Sequence, residues 1–207
     1  NRVVHSNVHI INNGFDGHVR IHDAKRPKTK FRLIHAGTCY ISGDNLTIFL
    51  KKLAKSLDDT HEDWELNFVG HVFFDATKVV SDLNLHQKVF FFGKRCQEDL
   101  EDFIRQSDAG LSFDVGNENF RGVIPTKLAT YIQYDMPIFQ IVESREVEAV
   151  EYLAPYPKAV TATYSQLSYE KEVTDLELLG RRATNYEILE AYSREKINLA
   201  WLQLLLK

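Results

Sequence analysis

The chain carries VIPTKLATYIQYDMPIF between Val123 and Phe139, and this stretch decides the predicted fold. It predicts a loop, then a helix over 126–134, then a buried strand that begins at Pro137. Pro125 suits a first helical turn, because a proline there loses no hydrogen bond and already has a helical φ. The first turn of a helix has free N–H groups and a positive dipole end. We therefore predict a site for a phosphate or a vicinal diol at the start of this helix.

Outward from this stretch, short apolar runs alternate with segments of helical periodicity, which predicts repeated β-α units. Most runs are too apolar to alternate faces, as in a parallel sheet covered by helices on both sides. We predict a Rossmann-like, doubly wound α/β fold with a parallel sheet of about six strands, helices on both faces and a long C-terminal helix. The predicted strands span 8–11, 31–36, 64–69, 88–92, 110–113, 137–141 and 159–161. The predicted helices span 45–57, 76–83, 97–106, 126–134, 144–153 and 185–206.

The length of 207 residues suits one α/β domain better than two very small ones. We therefore predict a single domain over 1–207, with an opening segment at 1–30 and a terminal helix at 185–207. The chain starts at Asn1 rather than Met, within a segment that has strand character. From this we expect the chain to be a piece of a longer protein.

Composition limits the classes of partner. The net charge of −4 provides no basic field that could hold nucleic acid, so we predict no nucleic-acid partner. No apolar run approaches the roughly 18–20 residues that span a bilayer, so we expect a cytoplasmic protein. The two cysteines, Cys39 and Cys96, lack the spacing of a disulfide framework or a zinc site, and we expect no metal cofactor.

Glycines follow three of the predicted strands, where ligands of open parallel sheets bind. Glycine lets the backbone approach a phosphate closely, but it is also the usual residue of a tight turn, and both interpretations stay open. The sequence contains neither G-x-G-x-x-G nor G-x-x-x-x-G-K-[ST], which disfavours simple dehydrogenases and ATPases. The strand-end segments to inspect are Gly37-Thr38, Gly70-His71, Gly93-Lys94-Arg95 and 114–121.

Basic side chains lie at or just beyond these strand ends. Each of Lys94, Arg95, Arg121 and Lys127 is either an exposed charge or a contact to a diphosphate. Arg121 and Lys127 flank the predicted helix start, where side-chain charge, amides and dipole would converge. They are therefore the preferred anion-binding residues.

The histidines give a weaker signal. His35 precedes a strand-end glycine and is interpreted as a core residue. A zinc site among the histidines of the opening segment would need helical or hairpin context, which their surroundings do not predict. No G-x-S-x-G elbow is present, which disfavours an α/β-hydrolase. The histidines of the opening segment are His5, His9, His18 and His22.

Six segments, in this order, resemble the C-terminal, donor-binding domain of retaining glycosyltransferases with the GT-B fold. The last of them resembles the family's P-x-K-hydrophobic-x-E-Y-hydrophobic-x-x-x-x-P-hydrophobic motif. The first resembles the family's I-P-N-G-hydrophobic-D sequence at the start of that domain. The six segments are VHIINNGFD (8–16), FRLIHAGT (31–38), LNFVG (66–70), VFFFG (89–93), SDAGLSF (107–113) and PTKLATYIQYDMPI (125–138).

The resemblance implies a domain that holds a nucleotide sugar, with the acceptor bound by an N-terminal domain that this chain lacks. By the same resemblance, the phosphates lie near the first strand end, the base near the third, and the sugar and diphosphate near 118–127. No catalytic residue is assigned. The implied donor-binding residues are Gly37, Thr38, Gly93, Lys94, Glu118, Arg121, Gly122, Pro125, Lys127 and Thr130.

The chain departs from the family at four positions. Gly122 and Thr130 stand where many relatives carry two glutamates, and Thr38 and Asp44 stand where many carry an Arg and a Lys. Thr130 can replace at most one hydrogen bond of a carboxylate that accepts from two ribose hydroxyls. Either the donor is held in another way, through Lys94, Arg121 and Lys127, or donor binding is weak.

Three functions follow from the resemblance and its departures. The first is the donor-binding half of a glycosyltransferase that builds a cell-surface polysaccharide or glycolipid, with the intact protein peripherally associated with the inner face of the membrane. The second is a non-catalytic interaction module that kept the fold. The third is a nucleotide-sugar epimerase, which would need carboxylates in the cleft, and Asp114 and Glu118 are the candidates.

Overall fold

The computed structural model describes residues 12–21, 30–61, 63–73, 75–114 and 123–205. These residues build an all-parallel sheet of six strands in the order β3-β2-β1-β4-β5-β6. The predicted parallel α/β fold is confirmed, and each strand predicted from Phe31 onward is present with bounds shifted by at most two residues. The predicted strand at 8–11 lies outside the described residues. The strands are β1 (Phe31–Ala36), β2 (Trp64–Val69), β3 (Val89–Phe91), β4 (Ala109–Phe113), β5 (Ile138–Val142) and β6 (Ala159–Thr163).

Helices cover both faces of the sheet, as predicted. One hydrophobic cluster joins the sheet to α1, α2 and α6, and the other joins it to α3, α4, α5 and α7. The helices are α1 (Gly43–Asp58), α2 (Ala76–Asp82), α3 (Gln97–Gln106), α4 (Thr126–Gln133), α5 (Glu148–Leu153), α6 (Glu170–Gly180), α7 (Tyr186–Ala191) and α8 (Arg194–Leu205). Within the described part of the chain, no helix has the length and apolar character that crossing a membrane requires.

The prediction of one long terminal helix was wrong, because α7 ends at Ala191 and α8 starts at Arg194. The backbone between them bonds to Phe15 instead of continuing the helix: Phe15 N donates to Tyr192 O (3.1 Å) and Arg194 N donates to Phe15 O (2.9 Å). The Ser193 hydroxyl donates to Glu190 O (2.8 Å) and accepts from Lys196 N (3.3 Å). A tertiary contact with a distant segment thus overrides the local helical pattern.

Two other helix predictions need correction. Helix α6 was missed, although its buried Val173, Leu176 and Leu179 recur at helical spacing. Helix α5 begins at Glu148 rather than Ser144, because Val147 is extended and the Ser144 hydroxyl accepts from Glu146 N (3.2 Å) in a local turn.

The strands β1 and β4 separate at their carboxyl ends, where the strand order reverses direction. Among the described residues, β1 and β4 pair only at Leu33–Ala109 and Ile34–Gly110. Beyond these pairs the buried Tyr131 hydroxyl, from α4, accepts from Ala36 N (2.8 Å) and lies 3.1 Å from Ile34 O and 3.2 Å from Leu111 O. The Tyr131 hydroxyl thereby replaces backbone hydrogen bonds between β1 and β4. A crevice opens between the two strands at this point.

Candidate functional site

A cavity of about 420 Å³ lies in this crevice. Its walls come from the end of β1, the end of β4 and the first turn of α4. This is the topological switch point of the sheet, where the connections leave toward opposite sides and open α/β folds bind their ligands. A volume of this size falls in the range of small-molecule pockets. The lining residues are His35, Ala36, Gly37, Thr38, Tyr40, Leu100, Phe113, Asp114, Val123, Ile124, Pro125, Thr126, Lys127 and Thr130.

Lys127 provides the positive charge of the cavity. Its Nζ lies 2.8 Å from His35 Nε2 and donates to the Thr38 carbonyl at 3.1 Å. Burial lowers the pKa of Lys127 to about 8. Both of these acceptors are neutral, so they hold the ammonium in place without neutralising it. A positive charge held in this way is suited to an anionic ligand.

His35 is buried between aromatic rings. The centroid of its imidazole lies 5.5 Å from that of Phe68 and 5.4 Å from that of Phe113. Burial, together with the nearby Lys127 charge, lowers the pKa of His35 well below its usual value. Because an ammonium can only donate, Nε2 of the neutral ring is the acceptor and the ring proton is on Nδ1, which has no hydrogen-bond partner in the part of the chain that the structure describes.

The first turn of α4 lies beside this ammonium. Pro125 is the N-cap residue, with φ −60° and ψ 124°, and its side chain makes no capping hydrogen bond. The prediction that Pro125 occupies the first helical turn was therefore wrong by one residue, because its ψ is extended rather than helical. The first helical residue is Thr126, and with no side-chain cap the amides of this turn remain suited to an anion.

The loops after β1 and β2 both need a glycine. Gly37 needs it for its backbone conformation, and Gly70 needs it for its conformation and for close packing. Gly37 has a φ of +86° and Gly70 a φ of +148°. A Cβ on Gly70 would lie 2.1 Å from the Gly37 carbonyl oxygen, so the two loops touch backbone to backbone. Both loops therefore favour glycine for a structural reason, and Gly37 also lines the cavity.

Aromatic rings form one rim of the cavity. Tyr40 lines it, and its ring stacks on Phe73 at 5.2 Å, while His71 meets Phe73 edge-on at 4.6 Å. Tyr40 is 52% and Phe73 64% exposed, unlike the buried aromatic residues of the core. Exposed aromatic faces beside a pocket are suited to stacking on a flat ring of a ligand.

The cavity brings together five of the ten predicted donor-binding residues: Gly37, Thr38, Pro125, Lys127 and Thr130. Gly93 and Lys94 are exposed in the loop after β3 and do not line this cavity. Asp44 is exposed at the start of α1 and lies outside the lining as well. The other three predicted residues, Glu118, Arg121 and Gly122, lie outside the described residues.

Sequence reasoning missed the role of His35 and the aromatic rim. His35 was interpreted as a core residue, and it is buried, but it also contacts Lys127 across the carboxyl edge of the sheet. The only signal in the sequence was its place two residues before a strand-end glycine. Among the residues that the structure describes, no group of three or more His, Cys, Asp or Glu side chains is arranged to hold a metal ion.

Three solved structures share this fold. The lipopolysaccharide outer core galactosyltransferase WaaB, in its apo form, matches 96% of this chain and 55% of its own with a TM-score of 0.62 and 14% identity. Anabaena Alr3699/HepE, solved with UDP and glucose, matches 94% of this chain and 55% of its own with a TM-score of 0.63 and 14% identity. The UDP-GlcNAc 2-epimerase of Methanocaldococcus jannaschii, solved with UDP-GlcNAc and UDP, matches 85% of this chain and 45% of its own with a TM-score of 0.53 and 10% identity.

These likenesses show the fold of one half of a GT-B glycosyltransferase. The chain spans about half the length of the solved chains that it matches, which is consistent with a C-terminal half. No protein-family model and no curated protein matches the sequence. The agreement is thus one of backbone architecture, and the function has to be argued from the cavity.

Proposed function

We propose that this chain is the donor-binding half of a glycosyltransferase and that its cavity holds the diphosphate of a nucleotide sugar. The acceptor, a growing polysaccharide or a glycolipid, would be bound by an N-terminal domain of the intact protein. Transfer at the inner face of a membrane is part of the same proposal. The likeness to HepE, solved with UDP and glucose, supports the class of donor.

The proposal rests on the ammonium of Lys127 at the first turn of α4, which forms no ion pair with any of the described residues. The two hydrogen-bond acceptors described for its Nζ, His35 and the Thr38 carbonyl, carry no charge. The helix start adds the positive end of the dipole, and its N-cap residue Pro125 makes no side-chain hydrogen bond to the amides there. Charge, amides and dipole together favour a group with two or more negative oxygens.

The same arrangement would assist the chemistry of sugar transfer. As the bond between the sugar and the diphosphate breaks, negative charge builds up on the leaving phosphate. A fixed ammonium and a helix N-terminus stabilise that charge without having to reorganise. Lys127 would then act on the leaving group, and the nucleophile would come from the acceptor.

A calorimetric panel of nucleotides and nucleotide sugars tests the proposal. We expect at least one nucleoside diphosphate sugar to bind the wild-type chain and Lys127→Met to weaken it by about tenfold or more. The matched control is Lys51→Met, which removes the same charge from an exposed position on α1. No binding across the whole panel, or equal binding by Lys127→Met and wild type, would contradict the proposal.

A nucleotide-sugar epimerase is a second candidate, favoured by the likeness to the UDP-GlcNAc 2-epimerase and by one carboxylate in the cavity. Asp114 directly follows β4 and lines the cavity. An epimerase moves a proton at a sugar carbon, which a transferase does not. Incorporation of deuterium from solvent into an unconsumed nucleotide sugar would identify the epimerase.

A non-catalytic module is the third candidate, motivated by Thr130 in the place of a carboxylate. Thr130 lines the cavity, so the substitution lies in the site itself. Turnover of any sugar donor by the intact protein would exclude this candidate. Donor binding without turnover, in the presence of a broad set of acceptors, would favour it.

A further inference from the structure

We propose that His35 is a positioning residue, whose neutral imidazole fixes the Lys127 ammonium in the cavity so that the full charge is presented to the donor. The inference rests on the proposed function and adds to it a second residue on a different element. His35 does not contact the donor itself and acts on it through Lys127.

The contact joins the two faces of the sheet. His35 packs with Phe68 and Phe113, which belong to the cluster under α1 and α2, whereas α4 packs in the cluster on the opposite face. Lys127 therefore reaches over the carboxyl edge of the sheet to meet Nε2 at 2.8 Å. A long lysine side chain has many rotamers, and the two acceptors at its end select one of them.

The type of acceptor matters as much as its position. A carboxylate at the place of His35 would orient Lys127 equally well, but it would neutralise the ammonium and repel a diphosphate. A buried neutral imidazole orients the amine and adds no negative charge. Among the described residues, His35 Nδ1 is a buried donor with no hydrogen-bond partner, whereas a purely structural core histidine usually satisfies both of its nitrogens.

The other titratable groups near Lys127 are few among the described residues. The Cys39 thiol, in the loop after β1, is buried, and burial raises its pKa. Asp114 after β4 and Tyr40 after β1 line the same cavity, and the Tyr131 hydroxyl lies one helical turn further along α4. The pKa of Tyr131 is raised by burial, so this phenol stays neutral. The described hydrogen bonds of Lys127 Nζ go to His35 Nε2 and to the Thr38 carbonyl.

The test of this inference measures donor affinity as a function of pH. A nucleotide sugar keeps a constant phosphate charge between about pH 6 and pH 9, so a change in affinity over that range reports on the protein. Because the pKa of Lys127 is lowered to about 8, we expect wild-type affinity to fall above that pH, by up to about tenfold per unit. Removing an acceptor from the ammonium disfavours its charged form, which shifts the fall to lower pH.

The matched pair of variants is His35→Gln and His35→Asn. Glutamine can place an amide oxygen near the position of Nε2, whereas asparagine is one methylene too short. We expect His35→Gln to keep affinity within about threefold and to keep the pH midpoint, and His35→Asn to lose about tenfold and to shift the midpoint down. Equal affinities and midpoints for wild type and both variants would overturn the inference while leaving the proposed function intact.

If the His35 variants do not fold, the tautomer of His35 can be measured in the wild-type chain. Nitrogen-15 NMR of the imidazole should show the Nδ1-protonated tautomer of His35, with no titration between about pH 6 and pH 9. An Nε2-protonated ring, or one that titrates in this range, would overturn the inference. A wild-type chain that binds no nucleotide sugar would overturn the inference and the proposed function together.

Discussion

The ring of Tyr131 lies directly against Gly110, the last residue of β4 that is paired with β1. A Cβ on Gly110 would lie 2.5 Å from Tyr131 Cδ2, closer than real Cβ contacts come. The absence of a side chain at this position lets α4 bring its tyrosine down onto the sheet. The position of the whole first turn of α4, with Lys127 in it, therefore depends on this contact.

We predict that Gly110→Ala destabilises the chain by about 1–3 kcal/mol, because the new methyl group overlaps a buried ring that has no room to move. Urea denaturation measures the change. The matched control is Gly180→Ala, where the new methyl would meet only Pro137 Cγ at 3.6 Å. Equal stabilities for Gly110→Ala and the wild-type chain would show that the Tyr131 ring is not held as described.

We predict that Tyr131→Phe costs about 1–3 kcal/mol, because Ala36 N loses the oxygen that it donates to and stays buried. Tyr164→Phe is the control, since the buried Tyr164 hydroxyl has no hydrogen-bond partner among the residues described. Its removal should leave stability unchanged or raise it. Thermal unfolding midpoints of the two variants, measured side by side, test this prediction. A midpoint of Tyr131→Phe equal to that of the wild-type chain would contradict the role of the hydroxyl between the strands.

A third prediction concerns the turn after α4. Lys158 Nζ lies 2.7 Å from Asp135 Oδ2, both side chains are only 5% exposed, and Thr184 Oγ1 donates to the same oxygen at 2.5 Å. Asp135→Ala leaves the lysine buried without its counter-charge, so we expect a loss of about 3–5 kcal/mol in the free energy of unfolding. Asp175→Ala, which removes the partner of the exposed Lys171, should leave the urea midpoint nearly unchanged. A similar shift for both variants would contradict this account.

The strands and the start of the helix beside the cavity could be predicted from the sequence, because each depends on local pattern. The helix start at Thr126 is an example, since proline and the following apolar spacing mark it. The break at Ser193 could not be predicted, because it depends on a backbone pairing with Phe15, far away in the chain. The pairing of His35 with Lys127 was equally out of reach, since 92 residues separate them and no local signal joins them.

Thr130 offers a test by restoration. Many members of the GT-B family that the sequence resembles carry a glutamate at this position. Its carboxylate would accept hydrogen bonds from the ribose hydroxyls. We predict that Thr130→Glu raises donor affinity by about tenfold, with Thr130→Gln as the uncharged control. The gain should disappear with a 2′,3′-dideoxy nucleotide, which lacks those hydroxyls. A gain that is the same for both nucleotides would mean that the new carboxylate does not contact the ribose.

A crystal structure of the chain soaked with a nucleoside diphosphate sugar tests donor binding in the cavity most directly. We expect diphosphate oxygens within hydrogen-bond distance of Lys127 Nζ and of the first amides of α4, with the Lys127–His35 contact retained. A donor bound elsewhere on the chain, or a diphosphate in the cavity that leaves Lys127 uninvolved, would contradict it.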